Sequence, residues 1–180
     1  MKKELTLKFP SLEDKEQWLE YYKEFLDDDL NSDPLNYSKY KNYEDFLIGI
    51  GKEECLIRST KKSIPTSSYL LVKDDEIIGH IFIHHFIDLN IQKSYEGHIG
   101  YAIRPNKRKR GYGTKILNLA LEKCKELNLH EILISCDKDN IASGKIIERN
   151  NGELLEELYV PEENAIIKKY IIRLSIDYQK

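Results

Sequence analysis

The sequence predicts a mixed α/β fold, an α+β arrangement on one central sheet, in a single domain over residues 1–180. Three observations predict it. Alternating strand-like runs surround two amphipathic helical patterns in the first half. A β-α-β unit with a glycine-bearing turn fills residues 97–136. Two more strand-like runs close the chain around Pro161. The resulting order is β-α-α-β-β-β-α-β-α-β-β.

The first strand is Leu5-Thr6-Leu7-Lys8-Phe9, which alternates and stops at Pro10. Ser11 can cap a helix over 12–27, with Glu13 and Asp14 in its first turn and Leu12, Trp18, Leu19, Tyr22, Phe25 and Leu26 as its apolar face. Residues 27–34 read as an acidic loop and 43–52 as a second helix. A polar loop is expected over 59–68. A hairpin follows, with arms at 69–73 and 76–83 around Asp74-Asp75, its second arm reaching toward Ile87. A strand over 97–104 stops at Pro105. The helix over 113–127 places Ile116, Leu117, Ala120, Leu121, Cys124 and Leu127 on one face. The continuous apolar run 131–136 predicts a strand buried on both faces. Asn140 opens a short helix to Arg149, ended by Asn151 or Gly152 in a left-handed cap, and strands over 154–160 and 166–176 finish the fold.

Composition narrows the function classes. A net charge of −3 gives no global attraction to nucleic acid or to an anionic membrane, so neither is an expected partner. Cys55, Cys124 and Cys136 are odd in number and lack metal-ligand spacing, so no zinc site and no disulfide framework are expected. No run approaches the roughly 20 apolar residues of a membrane span, and a reducing cytoplasmic location is expected.

The chemistry concentrates in Arg108-Lys109-Arg110-Gly111-Tyr112-Gly113-Thr114. Two glycines let a backbone approach a ligand closely, and the helix that follows offers unpaired N–H groups and a positive dipole end. Lys107, Arg108, Lys109 and Arg110 precede the glycines. These features describe a pocket for a polyanion, most simply a diphosphate. Ile116 stands where a dinucleotide fingerprint needs its third glycine, and no GxxxxGK[ST] run exists, so Rossmann and P-loop readings fail.

With this order and this loop the chain resembles the GNAT superfamily of acyl-CoA-dependent N-acetyltransferases. The family pattern, Arg or Gln, two residues, Gly, one residue, Gly or Ala, is matched by Arg108 through Gly113. The strand end Ile103-Arg104-Pro105 and the run Asn140-Ile141-Ala142-Ser143 match as well. Within the family, Gly97 to Pro105 and Cys136 to Ser143 are similar to a branch of bacterial acetyltransferases with largely unassigned substrates.

The resemblance implies acetyl-CoA as co-substrate without a metal, and a small-molecule or peptide amine as acceptor. It also implies that two copies can pair as a homodimer. It assigns the loop from Arg108 to Thr114 to the diphosphate and the backbone of Ala102, Ile103 and Arg104 to the pantetheine arm, with Asn140 and Ser143 beside that arm. The strand over 97–104 is expected to splay from the strand over 131–136. Many members carry a tyrosine acid seven residues after the position of Asn140. Here Ile147 stands there, and Asn151-Gly152-Glu153 replaces the usual Gly-Phe, so the catalytic acid does not carry over.

A free alkyl amine has a pKa of about 10.4, so a base must remove its proton at neutral pH. His98 is the first candidate because it stands where many members place a glutamate and titrates in the useful range; Glu96, two residues away, can orient or replace it. Tyr159 and Tyr170 are alternatives for the acid, each also a candidate packing residue. Cys136 reads as a buried thiol, since the family transfers directly. His80, His84 and His85 lack a carboxylate or thiolate at ligand spacing, so they read as strand polar residues. The acidic run Asp27-Asp28-Asp29, with Asp33, reads as a solvated loop that could also attract a cationic acceptor.

Overall fold

The computed structural model describes residues 4–28, 32–55, 64–88 and 95–175. Strand β1 (Thr6–Lys8) leads through a 3-10 turn (Leu12–Asp14) into helix α1 (Lys15–Leu26). Ser11 and Asp14 start it reciprocally: Asp14 N–H donates to Ser11 O, and Ser11 N–H donates to Asp14 Oδ2 at 2.9 Å. After a kinked 3-10 segment (Pro34–Lys39) comes α2 (Tyr43–Cys55). Strands β2 (Thr66–Lys73) and β3 (Glu76–His84) form the hairpin, with Asp74 and Asp75 both at positive φ, the turn geometry that suits strand twist. Then follow β4 (Ile99–Ile103), α3 (Tyr112–Glu126), β5 (Glu131–Asp137), α4 (Ile141–Arg149), β6 (Glu153–Val160) and β7 (Ala165–Arg173).

The helix and strand order matches the expected one, but the sheet is divided. One sheet runs β1-β2-β3-β4 and the other β5-β7-β6, all ladders antiparallel. The division falls between β4 and β5, where splaying is expected. His98 N–H donates to Leu133 O at 2.7 Å, and past this junction no ladder joins the two strands.

Strand alternation in the first sheet separates two cores. Tyr69, Leu71, Ile81 and Ile83 pack with Ile116, Leu117 and Ala120 of α3 and Ile147 of α4. Leu70 and Ile77 face Trp18, Tyr21 and Phe25 of α1 and Phe46 of α2. The buried face of α1 is therefore Trp18, Tyr21 and Phe25, while Leu12, Leu19 and Leu26 are exposed. Tyr21 takes a core place because its hydroxyl finds the buried His80 Nδ1 at 2.6 Å.

Three other expectations change. Strand β2 begins at Thr66, inside the expected polar loop, because Thr66 donates to Ile64 O and Thr66 and Ser67 pair with His84 and His85. Strand β3 ends at His84, short of Ile87. Strand β5 buries Ile132 and Ile134 fully, while Leu133 and Ser135 on its other side are only partly covered, because that side borders the division of the sheet. Asn151 takes the left-handed position after α4.

Candidate active site

Strand β4 has one edge on β3 and one edge on the gap. Arg104 N–H donates to Ile78 O at 2.9 Å. Alternation then turns the peptide groups of Ala102 and Gly100 toward β3 and those of Tyr101 and Ile103 toward the gap. Of the three residues expected to offer backbone groups, Ile103 alone faces the gap, and Tyr101, not singled out by the sequence, joins it. The clue was parity, since Tyr101 stands two residues before Ile103.

The loop after β4 is shaped by two left-handed residues, Lys109 at φ 62° and Gly111 at φ 82°. Left-handed residues at alternate positions turn successive N–H groups into one concavity, an anion-binding nest. The N–H groups of Tyr112, Gly113 and Thr114 precede the first bond of α3, Lys115 N–H to Gly111 O. Nothing lies within 4 Å of where a Gly111 Cβ would stand, so the loop is uncrowded at that residue. Gly113 is buried under the Ile146 side chain, which seats α3 on α4.

The four cations divide into two classes. Lys107 bonds Glu76 at 2.6 Å. Arg108 is held in a fork by Asp28, at 3.1 and 2.8 Å, gives its Nε to Ile103 O at 3.2 Å, and lies over the Phe25 ring. That guanidinium braces the loop against α1 rather than facing the concavity. Arg104 is likewise buried between Glu24, Glu76 and Ile77 O. Lys109 and Arg110 are exposed, with no ion-pair partner among the described residues.

Across the gap, Asn140 caps α4 by accepting Ser143 N–H on Oδ1 at 3.0 Å. The Ser143 hydroxyl is 3.1 Å from Tyr101 Oη and also beside the Cys136 thiol. Burial raises the Cys136 pKa, which keeps it a thiol rather than a nucleophilic thiolate. Ile147 is wholly buried in the first core. Tyr159 is exposed and donates to Asn164, whereas Tyr170 is buried with its hydroxyl under Gly144 of α4.

On the side of α2, a cleft of about 640 Å³ opens where β4 and β5 diverge. Glu53, Phe82, His84, Glu96, Gly100 and Cys136 help to line it. His98 sits in the junction instead. Its Nδ1 accepts Leu133 N–H at 3.0 Å, so the neutral ring carries its proton on Nε2 and its free lone pair is already used. Burial lowers its pKa. The regular strand starts only at Ile99, so Glu96 and His98 do not share a strand face as expected. Of the three strand histidines, His80 bonds Tyr21, while His84 and His85 bond Thr66 and Ser67. Burial pushes His84 down to about 4, leaving it neutral beside the cleft. Asp33 is engaged by Ser38, and Asp29 lies outside the described residues.

Among the described residues, no helix is long and apolar enough to cross a membrane, and no group of three or more His, Cys, Asp or Glu is placed to hold a metal. The family model of the acetyltransferase (GNAT) domain matches residues 4–153. An uncharacterized N-acetyltransferase of Bacillus subtilis, YnaD, is 32% identical over 81 residues, which span 44% of this chain and 45% of that protein. The chain thus matches about half the length of this relative. Among solved structures, the ribosomal L7/L12 alpha-N-protein acetyltransferase RimL in complex with coenzyme A aligns with a TM-score of 0.68 at 15% identity, over 94% of both chains. The microcin C7 self-immunity acetyltransferase MccE, in complex with acetyl-CoA and AMP, aligns at 0.65 and 16%, over 95% of this chain and 93% of that one. A GNAT-family acetyltransferase from Bacillus anthracis aligns at 0.61 and 18%, over 96% of both.

Proposed function

This chain belongs to the GNAT acetyltransferase family, and we propose that it transfers an acetyl group from acetyl-CoA to a primary amine by direct attack, through a tetrahedral intermediate. The observation that carries this reading is the gap beside β4. A strand edge that no neighbouring strand covers, at Tyr101 and Ile103, where Arg108 Nε–H takes the Ile103 carbonyl and no strand takes the N–H groups, leads from a nest of N–H groups at Lys109 to Thr114 to a cleft of about 640 Å³.

The residues present fit the co-substrate. The nest and the first-turn amides of α3 receive the diphosphate, and Lys109 and Arg110 supply cations to the phosphates. The edge of β4 pairs with the pantetheine arm as another strand would, and the Asn140 side-chain N–H₂, which the cap does not use, supplies a further donor to the arm. The N–H of Tyr101 or Ile103 holds the developing oxyanion. Glu96, on the cleft wall, takes the amine proton directly or through water; His98 serves it by fixing the two strands. The acceptor enters from the cleft, and a free thiol product leaves by the gap.

The test is a thiol-release assay against amines of several classes, with calorimetry on coenzyme A. The parent protein should bind coenzyme A, and Glu96→Gln should keep that binding while turnover falls on the order of 10²-fold or more. A parent protein that ignores coenzyme A sinks the reading. A second reading, a CoA-binding module without catalysis, rests on Ile147 filling the usual acid position. It predicts uptake of acetyl-CoA without turnover on any amine.

A further inference from the structure

We propose that the Tyr101–Ser143 pair is the proton donor for the departing thiolate, in the role left vacant by Ile147. This rests on the acetyl-transfer reading and adds to it a catalytic residue. Tyr101 belongs to β4, with its backbone on the open edge of the gap. Its hydroxyl reaches across to Ser143, in the first turn of α4, at 3.1 Å. A thioester laid along that edge has its sulfur bounded by these two walls, so the phenol lies on the path the sulfur follows.

The two tyrosines that the sequence offered do not compete, and Tyr95, on the cleft wall, gives its hydroxyl to Glu163 at 2.7 Å. Tyr159 Oη is on the exposed closing hairpin, bonded to Asn164. Tyr170 is 1% exposed, lies inside the first core, and directs its hydroxyl at Glu148. Ile147 has no proton to give. Burial pushes the Tyr101 phenol up to about 12, which keeps its proton in place through the neutral range; so weak an acid hydrogen-bonds the sulfur first and yields the proton only as charge builds there in C–S cleavage.

The step balances. The amine nitrogen bonds to the acetyl carbon and its surplus proton goes to the base. The C–S bond breaks with its electron pair on sulfur. Tyr101 Oη–H passes its proton to that sulfur, giving the free thiol, and the phenolate regains a proton from solvent through Ser143 Oγ. No oxidant or further reactant is needed.

The experiment compares the parent with Tyr101→Phe in three measurements: calorimetric affinity for coenzyme A, kcat and KM for acetyl-CoA, and the titration of the bound coenzyme A thiol, read by thiolate ultraviolet absorbance. The expected result is coenzyme A affinity and KM within about threefold and kcat lower by roughly 10²-fold. The bound thiol should titrate about one pH unit higher, because a hydrogen bond to the thiolate is lost. Parent-like kcat, or a bound thiol that titrates as in the parent, overturns the proposal. So does a loss confined to coenzyme A affinity. If Tyr101→Phe does not fold, Ser143→Ala carries the test, with kcat expected to fall about tenfold at constant KM; unchanged kcat overturns the relay. A parent protein that binds no coenzyme A fails at the earlier step and overturns the acetyl-transfer reading itself.

Discussion

His98 and Leu133 exchange two hydrogen bonds of different kinds: His98 N–H donates to Leu133 O at 2.7 Å, and Leu133 N–H donates to His98 Nδ1 at 3.0 Å. The side chain replaces one rung of a ladder. Beyond this point the two strands belong to different sheets, and the gap between them opens. A histidine in this place joins the strands without extending their pairing.

His98 variants separate holding from proton transfer. His98→Ala leaves Leu133 N–H without its acceptor and should cost about 1–3 kcal/mol of stability. In His98→Asn, Oδ1 can accept the same N–H, so most of that stability should return, and turnover should stay within a few-fold of the parent. Denaturant melts and thiol release measure both. A folded Asn variant with turnover down a hundredfold would make His98 the base after all.

Acid should unfold the protein through its buried imidazoles. Burial lowers the pKa of His80 and His84 to about 4 and lowers His85 and His98 as well. The unfolded chain takes up these protons near pH 6.5, where the folded chain refuses them. Stability from these groups is full above about pH 6.5 and falls as pH drops through the window toward 4. For His80, fully enclosed beside Tyr21, the loss approaches on the order of 3 kcal/mol. Urea melts at a series of pH values check this; a flat profile between 6.5 and 4.5 contradicts it.

The element order was legible because hydrophobic period and breakers report local conformation directly. The loop between β4 and α3 was legible because its residue types serve one backbone shape. Partners distant in sequence were not. Arg108 reads as a phosphate ligand until Asp28, eighty positions earlier, is seen to occupy its fork. Tyr21 is missing from the apolar face expected for α1, and His80, on a distant strand, supplies the hydrogen bond that seats it in the core. Thr66 and Ser67 read as loop until His84 and His85 of the neighbouring strand satisfy their hydroxyls. In each case a polar group became structural because of a contact that no local pattern encodes.

The basic run should therefore split under mutation. Arg108→Lys loses a fork and a ring contact and should cost about 1–2 kcal/mol of stability. Lys109→Ala and Arg110→Ala remove exposed charges and should change stability by less than about 0.5 kcal/mol. Each should weaken coenzyme A binding several-fold, with a smaller effect at high salt. Calorimetry at two ionic strengths beside thermal melts tests the division. Equal stability losses across the three variants would refute it.

Two glycines near the gap should respond differently to a methyl group. At Gly111 the space is open and φ is +82°, so Gly111→Ala carries backbone strain of about 1–2 kcal/mol while the fold persists. At Gly97 the obstacle is backbone: an added Cβ would stand 2.5 Å from Leu133 O and 2.9 Å from Ile134 Cα. Main chain cannot rotate away as a side chain does, so Gly97→Ala must push β4 from β5 at the junction that His98 closes. The expected cost is about 2–3 kcal/mol. Amide exchange should quicken at His98 and Leu133 before it quickens in the β2–β3 hairpin, since the junction opens first. If Gly97→Ala melts with the parent and protects those two amides equally, the close approach does not hold the strands together.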